Sequence, residues 1–127
     1  MPPPTDTSKG QARLDEASLQ KLRELDASGA LLQRVFNAFI KSLDKMLPEL
    51  QQARASGLDL VAIRHIAHTL KSSSASLGAL NLSAQCADVE NRARNAQTEG
   101  LDIALDAMHA EALRVHETLR NLVTESK

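Results

Sequence analysis

Apolar residues recur at alternating intervals of three and four along most of the chain, which is the spacing of one face of an α-helix. This spacing predicts five helices, over about 15–25, 30–55, 60–77, 82–97 and 101–124. The residues predicted to face inward include Leu19, Leu22 and Leu25 in the first helix, Leu60, Ile63, Ala67, Leu70, Ser74 and Leu77 in the third, and Leu82, Cys86, Val89, Ala93 and Ala96 in the fourth. Stripes of the same spacing run along the second and last helices.

Turn-forming residues separate the predicted helices. Asp59 can cap the third helix, and Gly78 stands where a left-handed helix end is expected. Amphipathic helices joined by short links pack most simply as an antiparallel up-down four-helix bundle, here with a short additional N-terminal helix across one end. Intermolecular coiled coils would show the same spacing, but the short glycine-marked turns favour packing within one chain. The predicted fold class is therefore all-α.

The first residues of the chain differ in composition from the rest. Residues 1–13 contain three of the four prolines and almost no apolar side chains, which predicts a flexible tail or the stub of a linker. Residues 14–125 are predicted to form one helical domain. The chain is 43% hydrophobic but only 2% aromatic, so aliphatic side chains must fill its core, and aliphatic residues such as Leu and Ala favour helices.

Charge and cysteine content exclude several classes of function. Fifteen basic residues nearly balance 16 acidic ones, so we expect neither nucleic acid nor an anionic membrane surface as a partner. The single cysteine, Cys86, suits a reducing compartment and is predicted to be a core residue. No apolar run is long enough to span a bilayer, and no signal peptide is evident. We expect a soluble, cytoplasmic monomer.

His68 is the most informative residue of the predicted third helix. A helix advances about 100° per residue, which places His68 roughly 130° from the centre of the inward stripe. It is therefore predicted to point outward or to lie at the shoulder of the bundle. Its neighbours on this side of the helix, here called the His68 strip, are Val61, Arg64, His65, Lys71, Ser72 and Ala75.

The composition of the His68 strip suits phosphoryl transfer between proteins. Imidazole is a nucleophile near neutral pH, because much of it is uncharged there. Lys71 and Arg64 could neutralise a phosphoryl group on the ring. The small side chains of Ser72 and Ala75 would let a partner's backbone come close. Gln85 borders the inward stripe of the fourth helix, where it either reaches the imidazole or is simply solvated.

The sequence around His68 resembles a known signature. Residues 67–79 read AHTLKSSSASLGA, which is similar to the pattern A-H-x-L-K-G-S-x-x-x-L-G-A of histidine-containing phosphotransfer (HPt) domains. The order of predicted helices over residues 14–124 resembles that family as well. The chain departs from the pattern at Ser72, where the family usually has glycine, and this departure bears on partner docking more than on the chemistry.

The resemblance implies a role for each matching residue. His68 would accept a phosphoryl group from an aspartate of one receiver domain and pass it to an aspartate of another. Lys71 would stabilise the phosphoryl group, and Gly78 would end the helix. The implied partners are receiver domains of a hybrid histidine kinase or of a response regulator. Such a protein has no cofactor of its own, because the receiver supplies Mg²⁺.

Two other functions compete with this interpretation. A non-catalytic adaptor could bind receivers without carrying phosphate, and Ser72 is its only support. A metal-binding bundle could use His65 and His68, but no carboxylate or thiolate ligands accompany them at a suitable spacing, so we predict no metal site. The sequence contains no Gly-rich phosphate loop and no kinase ATP-binding motif. We therefore expect a phosphoryl carrier without its own ATP site, and not an enzyme. It would be either a free-standing protein or the detached C-terminal domain of a hybrid sensor kinase.

Overall fold

A computed structural model describes residues 12–125, with side chains to residue 123. Its helices are α1 (Glu16–Leu25), α2 (Ala30–Ala55), α3 (Leu60–Ser76), α4 (Leu80–Arg94) and α5 (Leu101–Glu125), and no strand occurs in this range. Most of the predicted tail, residues 1–11, lies outside the described part. Within that part, the backbone N–H of Ala12 donates to Thr118 Oγ1 at 2.9 Å, and Ala12 packs against the core.

The four longer helices form a closed bundle. α3 packs between α2 and α4, and α5 packs on α4 and returns to α2. The shorter α1 packs on α2, and the backbone N–H of Asp15, its N-cap, donates to the carbonyl of Gly78 at 2.8 Å. The prediction of an all-α bundle with an additional N-terminal helix is confirmed. None of the helices between residues 12 and 125 combines the length and the apolar character that a bilayer-spanning helix needs.

The predicted ends of α3 agree closely with the structure, whereas α4 begins two residues earlier and ends three residues earlier than predicted. The Asp59 side chain accepts from the backbone N–H of Ala62 at 3.1 Å, as expected of an N-cap. At the other end of α3, Gly78 has a φ of +90°. The N–H of Ala79 donates to the Ser74 carbonyl, and that of Gly78 donates to the Ala75 carbonyl. This is the Schellman pattern, which turns the chain sharply from α3 into α4.

Two residues predicted to face inward are exposed. Leu25 is 75% exposed because it is the last residue of α1, whose main packing partner among the helices is α2. Ala96 is exposed because α4 ends at Arg94, and Ala96 adopts a φ of +53° in the turn that follows. The other inward residues predicted for α3 and α4 are buried, apart from Leu60 at the first position of α3, which is half-buried.

Candidate functional site

α3 places His68 on the outer surface of the bundle. The opposite side of the helix buries Ile63, Ala67 and Leu70 completely, and the buried hydroxyl of Ser74 donates to the Leu70 carbonyl at 2.6 Å. His68 cannot follow these residues into the core, and its side chain remains 61% exposed. The outward orientation predicted from the helical spacing is therefore what the structure has.

A buried carboxylate on α4, that of Glu90, lies directly beneath His68. Its side chain is only 5% exposed. Glu90 Oε2 lies 2.8 Å from His68 Nδ1 and 3.1 Å from Arg94 Nη2, and Glu90 Oε1 lies 2.7 Å from Lys71 Nζ. One carboxylate thus binds the imidazole and two basic side chains, so it connects α3 to α4 at the level of His68.

These contacts keep the Glu90 carboxylate ionised. The hydrogen bond from Lys71 is the largest cause that lowers the pKa of Glu90, from 4.5 to about 2, with the His68 contact adding to it and burial opposing it. An ionised carboxylate can only accept hydrogen bonds. In the hydrogen-bonded pair the proton is therefore on His68 Nδ1, and in the neutral ring this leaves the lone pair on Nε2, the more outward nitrogen.

An open cavity of about 470 Å³ lies beside the imidazole. Its lining residues are Val61, Arg64, His65, His68, Glu90 and Arg94. Val61, Arg64 and His65 belong to the predicted His68 strip, whereas Glu90 and Arg94 come from α4. Two guanidinium groups therefore border the space next to the ring, where an anionic group on the ring would find charged donors.

The remaining predicted site residues occupy different positions. Lys71 reaches the site through Glu90 and does not line the cavity. Ser72 and Ala75 are exposed further along α3. Gln85 is half-buried and makes no hydrogen bond to His68, and its buried Oε1 has no hydrogen-bond partner among the described residues. Gly78 is buried where α3 ends.

Sequence reasoning missed Glu90 and Arg94, although a signal for Glu90 existed. In the hairpin of α3 and α4, His68 lies ten residues before Gly78 and Glu90 twelve residues after it, so the two are nearly level. Glu90 also follows the inward Cys86 by four residues, at the edge of an apolar stripe where an acid needs a partner. Ser83, seven residues before Glu90, faces the same way and donates to the Lys71 carbonyl.

Neither Cys86 nor a metal-binding cluster adds a second site within the described residues. Cys86 is fully buried, and burial is the main reason why the pKa of its thiol rises to about 12. A thiol with so high a pKa is a poor nucleophile, which agrees with its predicted role in the core. Within residues 12–125, no group of three or more His, Cys, Asp and Glu side chains is placed to hold a metal ion.

The fold and the exposed, carboxylate-bound histidine define a helical-bundle protein suited to histidine phosphotransfer. The Hpt domain family model matches residues 34–125, and the chain belongs to that family. It is thus a histidine phosphotransfer domain of the kind that serves phosphorelays. No curated protein matches the chain.

Two solved structures share the fold. Histidine-containing phosphotransfer protein B from Pseudomonas aeruginosa is 24% identical, with a TM-score of 0.79 over 90% of this chain and 96% of that one. A rice protein of the histidine-containing phosphotransfer class is 19% identical, with a TM-score of 0.76 over 94% of this chain and 86% of that one. At these identities the likeness concerns the architecture, and the roles of individual residues rest on the site geometry.

Proposed function

We propose that Nε2 of His68 accepts a phosphoryl group from the phosphorylated aspartate of one receiver domain and passes it to an aspartate of another. The observation that carries this proposal is the 2.8 Å contact between Nδ1 of the exposed His68 ring and the ionised Glu90 carboxylate. This contact fixes the ring and leaves Nε2 as the outward nucleophile. The alternative of a receiver-binding adaptor gains no support from Ser72, which is simply exposed.

The transfer step needs no proton movement in this arrangement. The Nε2 lone pair attacks phosphorus, the bond between phosphorus and the aspartate oxygen breaks, and its electron pair remains on the receiver carboxylate. The ring becomes a phosphoimidazolium whose positive charge faces Glu90. Arg64 and Arg94 border the cavity where the phosphoryl oxygens would lie. Lys71, held at 2.7 Å from Glu90 Oε1, would add a third positive charge close to the site. Positioning with charge stabilisation would supply most of the catalysis.

The proposal also covers the partners of this carrier, their metal ion and its oligomeric state. The receiver partners belong to a hybrid histidine kinase or a response regulator, and they bring the Mg²⁺ that phosphoryl transfer requires. The protein itself contributes no ATP site and acts as a cytoplasmic monomer. The support for a phosphoryl carrier is the site geometry, in which Arg64 and Arg94 border the cavity beside His68 and Glu90 orients the ring.

A transfer assay tests the proposed function. Receiver domains from the source organism are phosphorylated on aspartate, mixed with the protein and analysed by intact mass. With a cognate receiver, the protein should gain one phosphoryl group that is lost in acid and retained in alkali, as expected of phosphohistidine. Tight binding of phosphorylated receivers, with no phosphoryl transfer from any of them, would contradict the proposal.

Val61 offers a test of receiver docking. Its side chain is 81% exposed on the cavity rim, so we expect Val61→Asp to weaken receiver binding about tenfold, equivalent to about 1.4 kcal/mol. Isothermal titration with the cognate receiver measures this. Ile103→Asp is the matched control, because Ile103 is 76% exposed but lies on α5, across the bundle from α3. Equal affinities of the two variants would place the docking surface elsewhere.

A further inference from the structure

We propose that Glu90 holds the proton on Nδ1 of phosphorylated His68, and thereby keeps the phosphoryl group ready to leave. This inference rests on the proposed function and assigns Glu90 as a positioning residue, since it touches the ring and not the phosphoryl group. The inference concerns the second transfer step, in which His68 gives its phosphoryl group to the next receiver. The same carboxylate would also govern loss of the group to water.

The rate of phosphoryl release depends on how well the imidazole ring acts as a leaving group. When the bond between Nε2 and phosphorus breaks, its electron pair stays on Nε2. If Nδ1 carries a proton, the ring leaves as neutral imidazole. If Nδ1 has lost that proton, the ring must leave as an imidazolate anion, which is a far poorer leaving group. Whatever holds the Nδ1 proton therefore controls how quickly the phosphoryl group passes to an aspartate or to water.

Glu90 is well placed to hold that proton. Its buried carboxylate is fixed from two further directions, by Lys71 on Oε1 and by Arg94 on Oε2, so it cannot easily rotate away from the ring. The phosphoryl group would be attached at the opposite nitrogen, which leaves the contact between Nδ1 and Glu90 intact.

Among the described charged groups around the imidazole, Glu90 alone favours a proton on Nδ1 of the phosphorylated ring. The other ionisable groups that face His68 within the described structure are Arg64 and His65 from α3, Arg94 from α4, and Lys71 through its contact with Glu90. All of these are basic, and the fixed positive charges of Arg64, Arg94 and Lys71 disfavour a further positive charge on the ring. Glu90 is the one acid that lines the cavity. Without its negative charge, the phosphorylated ring would lose the Nδ1 proton more readily.

Glu90→Gln separates the charge of this residue from its shape. A glutamine keeps the length of the side chain, and its amide oxygen can still accept from Nδ1. The variant therefore tests whether the negative charge, and not just the hydrogen bond, governs release. Asp88→Asn is the matched control, because it removes one acidic charge from the same helix, but from a residue that is paired with Arg92.

The experiment loads the wild type and both variants with phosphoramidate, which needs no receiver, and follows loss of phosphohistidine from pH 5 to 9. Near pH 8 we expect Glu90→Gln to lose the group about tenfold more slowly than the wild type, because an adjacent opposite charge changes ring protonation by at least that factor. Asp88→Asn should resemble the wild type. ¹⁵N spectra of the phosphorylated ring should show that Nδ1 loses its proton at lower pH in Glu90→Gln.

Equal rates of loss and equal ¹⁵N spectra in the wild type and Glu90→Gln would overturn this inference and leave the proposed function intact. Failure of every receiver to phosphorylate the wild type would instead contradict the proposed function. The ¹⁵N spectra of the unphosphorylated proteins test the contact independently. The wild-type ring should be protonated on Nδ1, and Glu90→Ala should shift it toward the Nε2-protonated tautomer. An unchanged tautomer in Glu90→Ala would also overturn the inference.

Discussion

In the transfer assay, His68→Gln should receive no detectable phosphoryl group from a receiver that fully phosphorylates the wild type. Glutamine can hydrogen-bond to Glu90 much as the imidazole does, but its amide nitrogen has no free lone pair with which to attack phosphorus. The variant therefore removes the nucleophile and preserves most of the surroundings. Intact-mass analysis after incubation with the phosphorylated receiver measures the loss directly.

A folding defect would not explain that result. The His68 side chain is 61% exposed, so we expect His68→Gln to change the free energy of unfolding by less than about 1 kcal/mol. His109→Gln, on α5, should be phosphorylated like the wild type. Phosphorylation of His68→Gln would show that another residue is the phosphoryl acceptor, and His65 would be the first candidate. Receiver binding without any phosphoprotein in the wild type would favour the adaptor function.

The helical architecture could be predicted because each long helix has two sides of opposite character. The apolar side of a helix packs into the core, and apolar residues spaced three or four apart in the sequence identify that side. The prediction was wrong at Leu25 and Ala96, which both lie at helix ends. At an end, burial depends on whether another helix happens to extend that far, and the local spacing contains no such information.

The candidate site was predicted only in part, for a related reason. The His68 strip lies on one helix, where a fixed rotation per residue relates the positions of its members. Glu90 and Arg94 belong to the next helix, and their distance from His68 depends on how closely α3 and α4 pack. Charged residues of α4 also suggest solvent exposure, yet Glu90 is buried because three donors satisfy its oxygens. The structure is needed to show that these three donors offset the cost of burying the Glu90 carboxylate.

Gly78→Ala should produce the largest loss of stability among the variants considered. Gly78 has a φ of +90°, and a Cβ there would lie 2.9 Å from both the backbone nitrogen and the backbone oxygen of Asp15. Backbone atoms cannot move aside as a flexible side chain would. The 2.8 Å hydrogen bond from Asp15 N–H to the Gly78 carbonyl would be strained as well. We expect the free energy of unfolding, measured with urea, to fall by about 2–4 kcal/mol.

Gly57→Ala separates backbone conformation from this close approach. Gly57 has a similar φ of +82°, but nothing lies within 4 Å of the Cβ that alanine would add. Its substitution should therefore cost only the conformational penalty, about 1 kcal/mol. The difference between the two variants in lost free energy of unfolding measures how tightly the start of α1 is held against the turn between α3 and α4. Equal losses would mean that Asp15 yields freely, so that the contact contributes little to the bundle that presents His68.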